Sequence, residues 1–570
     1  MAEKSTPDRI SSLVEILRSA GLKVGSQKYQ YQASGAAISG ENVYALLQGP
    51  RADATEALVL IAAWRNMNGE INHSGVALVL TLARYFKRWS LWSKDIIFLI
   101  TEDSTAGPQA WVDAYHDAHD PLYVSSLAIK SGALQGAVAI DYPAGTWGHR
   151  FDKLHVVYDG INGQLPNLDL FNTAVSVASG QMGIRCTLQR MWDHDDKYIA
   201  RLQTMLRGML NQGLGHATGP HSSFIPYHVD AITLQTVGDG WHDEMSLGRT
   251  VEGLFRSLNN LLEHLHQSFF FYLLMQANRF VSIGTYLPSA MLVASSFSLM
   301  CIALWVQSGR PEEPPNPAST NREKPGATGG AKEVSKTPEM TVVKSGSAVA
   351  IIPISLLGVV ERHLFLPLIL LTSFHFLGLI PLYLFNHTPI PSLTAVFIGF
   401  TFVTLPLPYL LAYALPQVIH RKPTTQELTL LQCFSLLLLG LFLSALATLN
   451  FSLSLLIGLL SSPFSFIRPL GLAETPPKST TANTTPALPK QRLFIANIIQ
   501  SILLTAISPP VVIIAASTFW KVDGLTLSQV LAMATTGWWI HGLWTSVVVW
   551  LVWWPAWFTA SFLAGSGTWI

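Results

Sequence analysis

Acidic residues that close apolar runs are the first candidates for chemistry in this chain. The run 94-KDIIFLITE-102 ends on Glu102, Asp103 follows it, and 134-LQGAVAIDYP-143 carries Asp141 near its end. Neighbouring carboxylates at such positions suit proton transfer or metal binding; the plain alternative is that they are solvated or cap the next helix. Cys186, within 184-IRCTLQR-190, has no local His signature that would mark a nucleophile and reads as an ordinary buried or partly buried thiol. There is no P-loop, no GxSxG elbow and no HExxH. A different chemistry, that of lipid contact, is suggested by Trp538, Trp539, His541, Trp544, Trp550, Trp553, Trp554, Pro555 and Trp557 near the C-terminus. Indoles favour the headgroup level, so two aromatic belts are the plain reading. Several of these residues lie too far along the segment for belts alone, and Pro555 interrupts the helical hydrogen-bond ladder, which can open a groove for a lipid or a neighbouring helix. Pro509 and Pro510 of 507-ISPPVV-512 form a weaker kink of the same kind.

The acids need a scaffold, and the N-terminal half supplies an α/β pattern. The run 56-EALVLIAAW-64 is a buried strand, 75-GVALVLTLARYFKR-88 has helical spacing, and 94–102 is a second buried strand. Strand, helix, strand implies a right-handed crossover and a parallel core. The pattern continues through a helix at 108–119, strands at 134–143 and 153–160, and helices around 196–213 and 247–275. The predicted fold is an α/β domain with a mixed, largely parallel sheet and helices on both faces, over residues 1–279.

Composition requires something more than a soluble globule. Of 570 residues 49% are hydrophobic and 12% charged, against a charged share of about 25% in ordinary soluble domains. Thirty-six Lys and Arg against 35 Asp and Glu give a net charge of +1, too near neutral for a nucleic-acid binder relying on phosphate neutralisation. Cys186, Cys301 and Cys433 cannot make a disulfide framework. Apolar stretches at 281–306, 365–386, 392–415, 427–448, 451–468, 494–519 and 536–563 predict an all-α membrane domain of about seven spans, the weakest at 451–468. The first span occupies 280–307, a Pro- and Gly-rich disordered linker 308–346, and the multi-span domain 347–570. The stretch 347–360 is short for a span and suits an interfacial or re-entrant segment.

Charge orients these spans. With residues 1–279 on the non-cytoplasmic side, the linker and the loops bearing Arg421, Lys422, Arg468, Lys478, Lys490 and Arg492 become cytoplasmic, which agrees with the positive-inside rule. Glu361, Arg362 and His363 then lie at the membrane surface and His541 near a span end. Among the sequons at Asn72, Asn386, Asn450 and Asn483, only Asn72 is a glycan candidate under this topology. A luminal domain calls for a preceding signal or anchor, yet MAEKSTPDRISSLVEILRSAGLKV is a polar stretch followed by an amphipathic helix, and the favoured expectation is a first span outside this sequence.

The run 56-EALVLIAAWRNMNGEINHSGVALVLTLARYFKRWSLWSKDIIFLITED-103 resembles the core of the co-catalytic zinc aminopeptidases. With 267-QSFFFYLL-274, 280-FVSIGTYLP-288 and the spans that follow, nearly the whole chain resembles the Gaa-type GPI-anchor attachment proteins, subunits of the endoplasmic-reticulum GPI transamidase. The family carries a span before its luminal domain. By the aminopeptidase resemblance, the base-and-ligand pair falls on Glu102 and Asp103, a later acidic ligand on Asp141, and the final His ligand on His221 in 219-GPHSSF-224. The first His of the metal motif falls on Ala63, with Arg65 two residues on, and the bridging Asp on Ile71 or a neighbour in 69-GEINHSG-75. One metal would keep Asp141 alone and the other only Asp103 and His221, where catalytic zinc usually has three protein ligands. His73 could add a ligand only if its loop bends inward.

The resemblance implies a non-catalytic transamidase subunit without a cofactor, residual zinc being the open alternative. It also implies partner subunits, including a cysteine-protease-like catalytic one, GPI lipid as ligand through the last span at Pro555 and Trp554, and a multi-pass location in the endoplasmic-reticulum membrane with the N-terminal domain luminal. Two enzyme readings compete: a metal-assisted activation of the GPI ethanolamine amine with Glu102 as base, and a stand-alone membrane-bound aminopeptidase.

Overall fold

The computed structural model describes residues 6–143, 150–261, 270–309, 340–345, 348–353, 361–467, 490–520 and 525–566. Strands β1 (Lys23–Ala33), β2 (Ala36–Leu47), β3 (Glu56–Ala63), β4 (Asp95–Thr101), β5 (Ala133–Asp141), β6 (Phe151–Val157), β7 (Arg185–Thr187) and β8 (Ala231–His242) form one sheet in the order β1-β2-β4-β3-β5-β8-β6-β7. The central β4, β3, β5 and β8 are parallel, as the strand–helix–strand runs predict. The remaining pairings are mixed: β1 and β2 form an antiparallel hairpin whose second strand pairs antiparallel with β4, and β6 runs against β8. The hairpin turns at Ser34 and Gly35, both with positive φ, the two-residue geometry that matches strand twist.

Alternation along β3 shows why its sequence is continuously apolar. Leu58, Leu60 and Ala62 face helices α1 (Thr6–Ser19), α2 (His73–Lys87), α4 (Leu168–Val175) and α6 (Glu244–Asn259). Ala57, Val59 and Ile61 face α3 (Ala106–Tyr115) together with Phe224 and Ile225. Both faces are covered, so neither set of positions can be polar. Helix α5 (Tyr198–Leu214) instead turns Met209 toward the apolar helices of the C-terminal half.

The helix predicted over 247–275 is corrected: α6 stops at Asn259, and Tyr272–Gln276 is a strand paired with Arg279–Ser282. Ala277 and Asn278 turn the chain there, and the Tyr272 hydroxyl donates to the Pro166 carbonyl, anchoring the hairpin beneath the sheet.

The C-terminal half is helical. Ile283–Ser308, Phe365–His387, Thr425–Leu449 and Thr545–Ser566 are long and apolar enough to cross a membrane. Two bent pairs, Ile390–Thr404 with Leu407–Val418 and Ile495–Ala506 with Pro509–Thr518, bring the number to six if each pair is one span. The seventh predicted span falls short: Phe451–Phe466 is a shorter apolar helix whose last turn tightens at Ser462–Phe466. The stretch predicted to cross over 536–563 is two elements, Leu527–His541 and Thr545–Ser566, separated at the left-handed Gly542. Most of the 308–346 linker lies outside the described residues, as do Arg468, Lys478 and Asn483; Met340–Ser345 pairs antiparallel with Ala348–Pro353.

The tryptophans make few belts. Trp550, Trp553, Trp554 and Trp557 are buried in the bundle core, where Trp554 Nε1 donates to Thr404 Oγ1 at 3.1 Å and Trp557 Nε1 to the Leu504 carbonyl at 2.7 Å. Pro555 lies in the last helix directly after a π turn at Val549–Trp553. Proline has no N–H for the Leu551 carbonyl, and the widened turn accommodates that gap. Gly378 meets this turn so closely that a Cβ on it would lie 2.3 Å from the Trp550 carbonyl oxygen.

Candidate functional site

The C-terminal ends of the parallel strands converge on a cavity of about 520 Å³, lined from β3 by Ala63, from β5 by Asp141 and from β8 by Thr233 and Gln235. The helix Leu527–His541 contributes Gln529, Ala532 and Met533 to its wall. That helix is clamped to the α/β domain, with His541 Nδ1 3.1 Å from Gln109 Oε1 of α3 and the Trp544 N–H donating to Asn162 Oδ1 just beyond it. His541 is therefore a docking residue between the two halves.

Each acid named from the sequence has protein partners. Glu102 is ion-paired with Arg9 of α1, whose guanidinium also lies 4.6 Å over the Trp64 ring. Asp103 accepts from the backbone N–H groups of Thr105 and Gly107, at 2.7 and 3.2 Å, at the start of α3, and from the Tyr29 hydroxyl. It works as a helix-terminus acid, where the aligned peptide dipoles favour negative charge. Burial, followed by the Asp103 charge, drives the Tyr29 hydroxyl pKa up, keeping that donor protonated. Asp141 accepts from Asn66 Nδ2 at 3.2 Å and Gln235 Nε2 at 2.9 Å. Burial pushes its carboxyl up to about 6, against the opposing pull of the two amides.

His221 is fully buried in the turn Pro220–Ser223. Its Nε2 faces the Asp159 carbonyl at 3.1 Å and its Nδ1 the Thr233 hydroxyl at 2.7 Å. A carbonyl only accepts, so Nε2 carries the proton and the Nδ1 lone pair is taken by Thr233. Burial drives the imidazole pKa down to about 3. Among the described residues no three His, Cys, Asp or Glu side chains gather as a metal would require. His73 begins α2 with its ring edge toward Trp64, and Ile71 is bridged to Arg65 by backbone bonds. The residues present do not fit a di-zinc centre.

Apart from the sequon at Asn72, the amides were not legible as site residues. Asn72 is 1% exposed; its Nδ2 donates to the Ala63 and Ile140 carbonyls and its Oδ1 accepts from the N–H groups of Gly75 and Tyr142. It ties the ends of β3 and β5 to the start of α2, and a glycan on Nδ2 would displace both donated bonds. Asn66, Gln235, Gln189 and Asn211 line the same cavity from separate loops, a strand and the helix α5, so no local spacing could announce them. Trp554 and Pro555 lie inside the bundle, and the start of the last helix borders an apolar cavity through Thr545, Ser546, Val549 and Trp550. Cys186 is partly buried, and burial pushes its thiol up to about 12, away from nucleophilic use.

A family model described as Gaa1-like, GPI transamidase component, matches residues 39–561. The chain belongs to this family. Among Gaa1-like relatives, the GPI transamidase component gaa1 of Schizosaccharomyces pombe is 39% identical over 312 residues, 54% of this chain and 53% of that protein. The corresponding component of Saccharomyces cerevisiae is 37% identical over 274 residues, 47% of this chain and 43% of that protein. The aligned stretch thus spans about half the length of these relatives. Among solved structures, a Fimbriiglobus ruber glutaminyl cyclase aligns with 44% of this Gaa1-like chain and 86% of its own, at 14% identity and TM-score 0.29. A Bacillus subtilis zinc aminopeptidase aligns with 39% and 51%, at 13% identity and TM-score 0.26.

Proposed function

We propose that this chain is a non-catalytic subunit of the GPI transamidase of the endoplasmic-reticulum membrane, its α/β domain luminal, and that it positions GPI lipid and protein substrate for a cysteine-protease-like catalytic subunit. The observation that carries this reading is the commitment of Glu102, Asp103, Asp141 and His221 to hydrogen bonds and ion pairs within the fold. A base or metal ligand needs a lone pair facing the substrate. Joining a protein carboxyl to a lipid-borne amine instead needs both held at the luminal membrane surface, where fixing them lowers the entropic part of the barrier.

The luminal orientation is supported by the two unlike ends of the bundle. At the end away from the α/β domain, Arg362 lies 4.2 Å over the Trp305 ring, and Arg421 makes two bonds to Glu427 at 2.7 and 2.6 Å. Lys422 adjoins them, so this end carries the basic side chains expected in the cytoplasm. The proposed domain limits stay at 1–279 for the luminal part, 280–307 for the first span, 308–346 for the linker and 347–570 for the multi-span part.

Purification of the tagged full chain in mild detergent tests the reading. The expected result is co-purification of the other transamidase subunits, with zinc far below one equivalent. A lone chain with stoichiometric zinc and aminopeptidase activity would refute it.

A further inference from the structure

One face of α5 meets two different surroundings. Counted back from its C-terminal end at intervals of three or four residues, Gly213, Met209, Met205, Leu202 and Tyr198 form a single stripe. The first three rest on the bundle. A Cβ on Gly213 would lie 3.2 Å from Leu456 Cδ1, and Met209 and Met205 pack with Tyr286 and Ala290 of the helix Ile283–Ser308 and with Ala447 and Phe451. Successive turns therefore touch different bundle helices, so α5 runs across the end of the bundle and not along it. Leu202 and Tyr198 continue the stripe past the bundle's edge, where no described residue covers them fully: Tyr198 is 77% exposed, and Leu206, on the shoulder of the stripe, 46%.

The same contacts fix the height of this helix. Ile283–Ser308 has 26 residues where roughly 20 cross a hydrocarbon core, so a centred span puts the boundary near Tyr286 and Ala290 about one turn inside it. Ala447 lies in the last turn of Thr425–Leu449. Met209 packs with both, which places α5 at the boundary between headgroups and hydrocarbon, its overhanging stripe turned the same way as Met209. The next face round carries the exposed Gln203 and Arg207, and near the N-terminal end Lys197 and Arg201 are ion-paired with Asp195 and Asp196. Asp196 also reaches Arg279 at 3.7 Å, holding this end of α5 beside the strand that leads into the first span. An apolar stripe next to a polar one at this height is the pattern of a helix lying in a membrane interface, where a tyrosine suits the headgroup level.

We propose that the N-terminal half of α5 is an interfacial membrane anchor, with Tyr198, Leu202 and Leu206 seated in the leaflet that adjoins the α/β domain. Its partner is the bilayer surface itself and not one lipid species: the stripe offers apolar area and a phenol, and the charges flanking it are already paired. The anchor attaches the α/β domain to the membrane beside the bundle, in addition to the polar contacts over it, and so holds the domain against tilting about the first span. The inference needs only that Ile283–Ser308 crosses the membrane. It holds for either orientation of the chain and stands apart from the transamidase reading.

Nitroxide labels on the full chain in phosphatidylcholine nanodiscs test the anchor. Cys301 and Cys433 are buried, so in a Cys186→Ser background the labelled thiol is the one introduced by Tyr198→Cys, Leu206→Cys, Gln203→Cys or Arg207→Cys. Collisions with oxygen, which concentrates in hydrocarbon, and with a water-soluble nickel chelate give the depth of each label. The expected result is that labels at Tyr198 and Leu206 lie about 5–10 Å below the phosphates, while those at Gln203 and Arg207 are in water. Leu202→Asp with Leu206→Asp should lift the Tyr198 label out, raising its nickel accessibility at least about threefold, at a thermal midpoint close to that of the parent chain. Should that double variant fail to fold, the four label depths decide the question by themselves. Nickel accessibility at Tyr198 and Leu206 equal to that at Arg207 overturns the inference. So does poor access of both reagents at those two positions, since it would mean that protein and not lipid covers the stripe.

Discussion

Asp141 and His221 are both buried titratable groups, and they pull the pH dependence of stability in opposite directions. Asp141 has its carboxyl raised from 3.8 to about 6, so the folded state binds a proton that the unfolded chain releases first. Its contribution therefore falls as pH rises from about 4 to 6, by about 3 kcal/mol in all. His221 is lowered from 6.5 to about 3, so the unfolded chain takes up the proton and stability is lost as pH falls below about 6.5. Asp141→Asn removes the first effect alone. Relative to wild type, its unfolding free energy in detergent should rise between pH 4 and 7 by about 3 kcal/mol; a difference that stays constant with pH would show that Asp141 is not shifted in this way. At this scale the sequence was half legible. Glu102, Asp103 and Asp141 stand out because acids closing apolar strands are conspicuous. Arg9, Asn66 and Gln235, which hold them, come from other elements, and only the folded sheet edge brings them close.

Elements that obey one period throughout were legible, and those with mixed burial were not. β3, β4 and α2 are recognisable because their apolar positions alternate or recur without a break. The β1–β2 hairpin is hidden by polar residues that turn out to be buried: Gln27 and Asn42, bonded to one another at 3.0 Å, sit inside it. The bundle was readable in its spans but not in its joints, since Gly542 divides one apolar stretch into two helices with different tasks. One such joint gives a direct prediction. Gly378→Ala places a methyl against the Trp550 carbonyl and should destabilise the full chain by about 1–3 kcal/mol, seen as a lowered thermal midpoint in detergent. Gly399 lies in the helix Ile390–Thr404, where an added Cβ meets nothing within 4 Å, so Gly399→Ala should be neutral or slightly stabilising. Equal losses at both positions would contradict the close approach.

The whole molecule is two halves joined by specific polar contacts. Asn450 Nδ2 donates to the Asn162 and Gln212 carbonyls, Ser452 Oγ to Gln212 Oε1, and Thr545 Oγ1 to the Leu214 carbonyl. On the other side Ser34 Oγ reaches the Asn386 carbonyl, which also accepts from Trp539 Nε1. The sequon positions Asn386 and Asn450 are thus part of the junction. None of this was visible in a linear reading, because each bond joins residues more than 150 positions apart. Its consequence is that the strand ends carrying Asp141 hold a fixed position relative to the helices.

The most direct measurement is the rate of GPI attachment by the assembled complex carrying Glu102→Gln, compared with the wild-type complex at equal abundance. A carboxylate held by Arg9 for structural reasons predicts a rate within about twofold of wild type, whereas removal of a true general base costs about 100-fold or more. A loss of that size in a fully assembled complex would contradict the non-catalytic role.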